Sequence, residues 1–289
     1  MYAGNLPFPR IHDLHDTYEF DEHTDTIGEG MFATVYRGTH KSTHTDVAIK
    51  SIPKVKLNTE KLAADVAREV GILHSASHPN IVKLLDALQT HEFVYIIMEL
   101  VDGGEIFSVL QECGQFTEAA CADVIRQVLS ALEYLHTDMN IVHRDVKPEN
   151  VMLIADTLCV VLVDFGVART FHEGGSPFAC TPCGSLQYCA PEVVRGLVDD
   201  PLSPRLTTRH DVTKLDLYGV GVMTYIMLSG SFPFLCKTKE MLVSQMDRGV
   251  KFPSSKWSTQ SVDARDFVAR LMDPVASERP SASAALAHL

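Results

Sequence analysis

The stretch His143-Arg144-Asp145-Val146-Lys147-Pro148-Glu149-Asn150 decides how this chain is read. It sets an acid, a cation and an amide, Asp145, Lys147 and Asn150, in one short loop. That spacing suits a loop that holds a hydroxyl, a phosphoryl group and a metal ion in one small volume. Asp145 can accept a hydrogen bond from an attacking hydroxyl and take its proton. Lys147 can neutralise charge on a transferred phosphoryl group, and the amide oxygen of Asn150 can reach a metal ion. Further along stands Asp164-Phe165-Gly166, whose hard carboxylate suits Mg2+.

Upstream lies Gly28-Glu29-Gly30-Met31-Phe32-Ala33-Thr34-Val35. Taken alone, it is either an ordinary hairpin turn or a place where glycines let the backbone approach a phosphate chain. Val47-Ala48-Ile49-Lys50 follows, an apolar run closed by a lysine. Such a lysine is commonly an edge residue with a buried stem; after a glycine-rich hairpin it also reads as a phosphate-binding cation. A lysine in that role needs an anionic partner. Residues 59–75 carry Leu62, Val66, Val70 and Leu73 at helical spacing, and the same helix offers Glu69, which by itself could equally be a solvated neighbour of Arg68.

Around these motifs the texture changes once. Residues 18–98 read as short strands with one helix, and His78-Pro79-Asn80 breaks that helix. Val101-Asp102-Gly103-Gly104 punctuates the chain, and helices dominate beyond it, starting at Thr117. Strands followed by long helices imply an α+β architecture of two lobes, a five-stranded sheet with one helix and then a mainly helical part. The expected division is a flexible leader over 1–17, a first lobe over 18–101 and a second over 102–289.

The 289 residues suffice for one large domain or two smaller ones, and 46% hydrophobic against 21% charged residues excludes global disorder. A net charge of −12 argues against nucleic acid as a main partner and is compatible with a basic peptide substrate or with solubility alone. Seven cysteines, an odd number, form no disulfide framework and fit a reducing compartment, cytoplasmic or nuclear. Cys180 and Cys183 have CxxC spacing but no second pair, which argues against zinc. The N-terminal residues lack the apolar segment of a signal peptide, and the run Leu217–Leu228 is too short to span a bilayer, so no membrane partner is expected.

The glycine-rich stretch, Val-Ala-Ile-Lys, the His-Arg-Asp loop, Asp-Phe-Gly and Ala190-Pro191-Glu192 stand in the order found in eukaryotic protein kinases, which this chain resembles from about Tyr18 to its end. Lys147-Pro148-Glu149-Asn150 resembles serine/threonine kinases, and residues 96–107 resemble the hinge of the calcium/calmodulin-dependent group. The resemblance implies ATP and Mg2+ as cofactors and a bilobal kinase fold. It assigns Asp145 as catalytic base and Lys147 to the γ-phosphate. Lys50 falls to the α- and β-phosphates with Glu69 as its partner, and Asn150 and Asp164 fall to the metal. Gly28 and Gly30 would cover the phosphates. Ile27, Val35, Ala48 and Met152 would sandwich adenine, Met98 would be the gatekeeper, and the backbone of Glu99 and Val101 would bond the base. Leu73, Leu84, His143 and Phe165 match the stack of side chains in active kinases.

In the same way Thr181 matches a phosphorylated activation site, implying an upstream activating kinase. Arg144 would receive that phosphate, and Ser176 is a second site. Ser185 stands where the family usually has threonine, in reach of Asp145 and Lys147. Glu105 and Glu149 match positions that, in basophilic relatives, pair with an arginine three residues before the phosphoacceptor. Protein substrates with basic residues upstream of Ser or Thr are therefore implied. Glu192 should pair with Arg279, and Asp216 should hold the backbone of the His-Arg-Asp loop. Glu192 and Asp216 stand about twice as far apart as is usual in the family, so the resemblance marks the polar, proline-containing segment at about 196–213 as a surface insertion. No EF-hand loop or calmodulin-binding segment is read in these residues, so calmodulin control is not established. The alternative class is a nucleotide-binding scaffold without turnover, against which the complete set Lys50, Glu69, Asp145, Asn150 and Asp164 speaks.

Overall fold

Val, Ile, Thr and Tyr crowd residues 34–53 and 84–99, and such side chains fit a pleated, half-buried surface. In the computed structural model, which describes residues 6–155, 157–171, 186–196 and 209–289 (for 209–211 the backbone alone), they form an antiparallel sheet. Its strands are β1 (Tyr18–Glu19), β2 (Thr26–Glu29), β3 (Thr34–His40), β4 (Thr45–Pro53), β5 (Leu84–Gln89) and β6 (Phe93–Glu99). The order is β1-β3-β4-β6-β5, with β2 also on β3. Six strands replace the expected five, because Tyr18–Glu19 pairs with Thr39 and His40. A strand of two residues has no periodicity to read.

Helix α1 (Glu60–Ser75) begins where Thr59 caps it, its hydroxyl accepting the Leu62 N–H at 3.2 Å. It ends before His78-Pro79, as the proline requires. Val66, Glu69, Val70 and Leu73 are all buried on it, so the one acidic member of the buried stripe is the residue singled out beforehand.

The stretch expected as a flexible leader over 1–17 behaves differently in its described part. Gln89, almost fully buried, gathers it. Its side-chain amide donates to the carbonyls of Leu6 (3.0 Å) and Phe8 (2.6 Å), and its backbone bonds Pro9 and Ile11 at 2.9 Å each. Leu14 enters a cluster with Tyr18, Phe20, Val47, Ile49, Leu88, Tyr95 and Ile97. Residues 6–16 therefore lie against the sheet, held by an edge strand that needs backbone partners and by apolar side chains that cover one sheet face. Prolines and charges spaced without period hide this from a linear reading.

The described residues fall into two compact units, one ending at Asp102 and the other beginning at Gly103. The second starts α2 (Ile106–Cys113), α3 (Glu118–Thr137), β7 (Ile141–Val142), β8 (Val151–Leu153), β9 (Val160–Leu162) and β10 (Arg169–Thr170). It continues as α4 (Pro191–Arg195), α5 (Arg209–Ser229), α6 (Lys239–Met246), α7 (Ser254–Trp257), α8 (Val262–Leu271) and α9 (Ala282–Leu286). The apolar run at 217–228 is the buried heart of α5, where Leu217, Tyr218, Val220, Val222, Met223 and Met227 are fully enclosed. None of the helices among the described residues is long and apolar enough to cross a membrane.

Two glycines set close approaches in this unit. A Cβ on Gly103 would stand 2.5 Å from the Leu153 carbonyl oxygen, whose bond from the Gly103 N–H is 2.9 Å. A Cβ on Gly219 would stand 2.8 Å from the carbonyl oxygen of Val146, so only glycine lets α5 lie directly beneath the His143–Asn150 loop. The expected ion pair is present: Arg279, its side chain fully buried, bonds both oxygens of Glu192 at 2.8 Å and lies 4.9 Å from the Tyr218 ring centroid. The 196–213 segment lies mostly outside the described residues.

Candidate active site

Short strands bring the two central motifs of the second unit together. β7 leads into the loop at His143, and β10 pairs with β7, Arg169 opposite Val142. The loop closes in a turn over Pro148–Asn150 that runs into β8, and β8 pairs with β9, Val151 opposite Leu162. The hairpin returns the chain to its start: the Val163 N–H donates to the Asn150 carbonyl at 2.9 Å. Asp164 follows directly in the chain.

Within the loop the three polar side chains meet. Lys147 Nζ lies 2.7 Å from Asp145 Oδ2, and Asn150 Nδ2 donates to the same oxygen at 2.9 Å and to the Asp145 carbonyl at 2.8 Å. The carboxylate is thus held through one oxygen by a cation and an amide, both largely sequestered from water, where such bonds are strong. The Asn150 amide is oriented by the same two bonds, its nitrogen toward Asp145 and its oxygen away from it.

Asp216 anchors this loop from α5, as expected. Its Oδ2 accepts the His143 N–H (2.9 Å) and its Oδ1 the Arg144 N–H (2.7 Å), while His136 Nε2 lies 2.8 Å from Oδ2. Arg144 has φ 72° and Asp164 φ 61°, left-handed backbone that costs a non-glycine residue about 1 kcal/mol or more and persists where the surroundings over-determine it. Two amides locked on one buried carboxylate do so at Arg144. Burial works to raise the Asp216 pKa, but the His136 hydrogen bond and charge, His143 and the Arg144 amide outweigh it and hold the carboxyl below its ordinary value. His143 itself is enclosed, its ring edge-on to Phe165 at 4.8 Å, while Leu73 is buried and Leu84 half-buried in the first unit.

The donor set fits Mg2+. Asn150 turns a neutral hard oxygen away from its own hydrogen bonds, and Asp164 adds a carboxylate from the adjoining backbone. The backbone N–H of Gly166 donates to Asp164 Oδ1 at 3.3 Å.

In the first unit, Lys50 Nζ and Glu69 Oε1 are 2.6 Å apart, with 17% and 4% of their side chains exposed. β4 and α1 bring them together, the strand by its register and the helix by the stripe that also buries Val66 and Leu73. Val35 is paired with Gly28 on β2 and with Lys50 on β4, and Ala48 is opposite Met98 on β6. Ile27 is half exposed beside them. The turn is closed by the Gly30 N–H donating to the Ala33 carbonyl at 2.8 Å; Ala33, standing in for a third glycine, is accommodated there without a positive φ. Glu99 exchanges backbone and side-chain hydrogen bonds with Lys83, and Val101 is buried at the end of the unit. Met152 sits half-buried on β8 of the second unit, bridged to Glu105.

Glu105 and Glu149 share one neighbourhood. Burial, and then the Glu149 carboxylate, push the Glu105 carboxyl above its ordinary range, while Lys147 acts in the opposite sense. Glu149 Oε2 is buried without a hydrogen-bond partner among the described residues, and its Oε1 is 3.5 Å from the Tyr188 hydroxyl. Tyr188, in turn, is raised by its own burial and by Glu149.

Thr181, Ser176 and Ser185, and the thiols Cys180 and Cys183, lie outside the described residues. Tyr188 and His136 escaped the linear reading. Both belong to the site through partners far along the chain, 39 residues away for Tyr188 and 80 for His136, and no local pattern encodes such a meeting.

A family model described as the protein kinase domain matches residues 22–289. Myosin light chain kinase A of Dictyostelium discoideum is 37% identical over 279 residues, covering 96% of this chain and 88% of that protein. Calcium-dependent protein kinase 5 of Oryza sativa subsp. japonica is 35% identical over 281 residues, covering 95% and 48%. The serine/threonine-protein kinase H1 homolog of Danio rerio is 35% identical over 266 residues, covering 91% and 59%. The chain thus spans about half of the length of the last two. On this match and these relatives, the chain belongs to the protein kinase family, among the serine/threonine kinases of the calcium/calmodulin-dependent group.

Proposed function

We propose that this chain transfers the γ-phosphoryl group of ATP to serine or threonine hydroxyls of proteins that carry basic residues upstream of the acceptor. The observation that carries the reading is the convergence of Lys147 and Asn150 on one oxygen of Asp145. With Oδ2 held, Oδ1 is the oxygen that accepts the substrate hydroxyl proton as the new oxygen–phosphorus bond forms and ADP departs. Lys147 steadies the charge on the transferred group. Lys50, kept charged and oriented by Glu69, binds the α- and β-phosphates. Asn150 and Asp164 would hold Mg2+, which would supply charge neutralisation on the phosphate oxygens. Phosphoryl transfer asks mostly for alignment and charge compensation, and the charges and oxygen donors of these residues suit the second of these. Transfer of radiolabel from ATP to a basic Ser/Thr peptide, followed by phosphoamino-acid analysis, tests the reading. Mg-ATP binding without transfer would favour a scaffold, and phosphotyrosine in the product would overturn the acceptor class.

The preference for a basic residue rests on Glu105 and Glu149. A buried carboxylate oxygen without a partner, next to a second carboxyl raised by the same crowding, is a site that a guanidinium would relieve. Glu105→Gln with Glu149→Gln is expected to raise KM by about tenfold or more for peptides with an arginine three residues before the acceptor, and to leave peptides with alanine there nearly unchanged. Equal losses on both peptides would remove the acidic pair from substrate selection.

A further inference from the structure

We infer that Lys56 is a positioning residue for the glycine-rich hairpin, a latch that holds its tip and thereby sets how tightly nucleotide is kept. The inference rests on the reading of that hairpin as the phosphate-covering element and adds a residue that the motif itself does not contain. Lys56 Nζ donates to the carbonyl oxygen of Met31 at 3.1 Å, across 25 residues of chain. The two ends of this contact differ in rigidity. The acceptor sits on a turn whose side chains stand out into solvent, Met31 82% and Phe32 44% exposed. Such a tip has few packing contacts and opens at small cost.

The donor stands on a short helical turn, Lys54–Lys56, that is pinned from several sides. The Lys54 N–H donates to the Glu92 carbonyl at 2.7 Å, and Lys54 Nζ bonds Gln89 Oε1 at 2.8 Å and the Thr90 carbonyl at 2.6 Å. Leu57, next in the chain, is buried. An exposed acceptor bonded to a donor on a pinned turn is a tether: the tip is drawn to one place, and each opening must break a charge-assisted bond. Because the acceptor is a backbone carbonyl, any residue could occupy position 31, and the sequence carries no pattern for the pair.

The test uses the purified chain and its Lys56→Met and Lys56→Arg variants, with a fluorescent ADP analogue and Mg2+ as the probe. Lys56→Met keeps an aliphatic stem of similar length and removes the donor at an exposed position. It is expected to weaken binding of the analogue and raise KM for ATP, each by about three- to tenfold, without lowering kcat, with faster release of the analogue; the worth of one such bond sets the size. Lys56→Arg, which can still donate, should return both quantities to near the wild-type values. Wild-type affinity in Lys56→Met, a lowered kcat at unchanged KM, or equal damage by Met and Arg would each overturn the latch. Failure of the unaltered chain to bind the analogue would instead overturn the nucleotide-binding reading on which the inference rests.

Discussion

Asp164→Ala is expected to lower kcat by about a thousandfold or more, the effect of losing several kcal/mol of transition-state charge stabilisation. The carboxylate follows directly on the β8–β9 hairpin, where the Val163 N–H bonds the carbonyl of Asn150, the other residue proposed to hold the metal. Its backbone is held at φ 61°, a conformation that costs a non-glycine residue energy. Alanine can adopt the same backbone only with similar strain, so the fold should persist while the metal oxygen is gone. Initial rates at saturating ATP over a range of Mg2+ concentrations, with circular dichroism of both proteins as the folding control, measure this. A rate within a few-fold of the wild type in a folded variant would sink the metal assignment of Asp164.

Asp216→Asn tests the support of the loop and not its chemistry. The asparagine oxygen can accept one of the two amides of His143 and Arg144, but its NH2 group faces the other, and the charge that holds His136 is lost. A destabilisation of about 2–4 kcal/mol is expected in urea unfolding, in line with a buried donor left unsatisfied and a charged hydrogen bond removed. kcat should fall as well, by about a hundredfold, since a loop displaced by about 1 Å loses alignment of that order. Full activity with the loss of stability would show that Asp145 is positioned without Asp216.

The pH dependence has a defined sense. A carboxyl whose folded pKa lies below its unfolded value stabilises the fold in its charged form, fully so above about pH 4, and the contribution is lost as the pH falls below that. The stability gap between wild type and Asp216→Asn should therefore be level at neutral pH and narrow on acidification below about pH 4. A gap that widened in acid would contradict the lowered pKa.

Much of the fold is legible in the sequence. The helix over 59–75 is read from its apolar spacing and another from Thr117, and in each a threonine hydroxyl, of Thr59 and of Thr117, caps the start by accepting a free amide. The strand texture of residues 18–98 announces itself by β-branched and aromatic content. Less legible were the elements whose partners are remote. β1 is two residues long, and residues 6–16 carry prolines and charges, yet both are ordered by the sheet edge and by the cluster around Leu14 and Tyr95. Reading 1–17 as a free leader overlooked that an edge strand with unpaired backbone groups recruits whatever chain can reach it.

The same division runs through the site. By itself the sequence determined which chemical groups are available and in what order: the acid, cation and amide of 143–150, the carboxylate of 164, the lysine of 50 and the glutamate of 69. Those are matters of local spacing and of residue type, which a linear string carries in full. Only the tertiary structure decided how they are held: Lys147 and Asn150 converging on one oxygen of Asp145, Asp216 locking two amides, Glu149 buried beside Glu105 and Tyr188, and Lys56 reaching Met31. Most of these contacts join residues dozens of positions apart, so their geometry comes from the packing of strands and helices and from the exclusion of water around them, and neither is written in any short stretch of the chain.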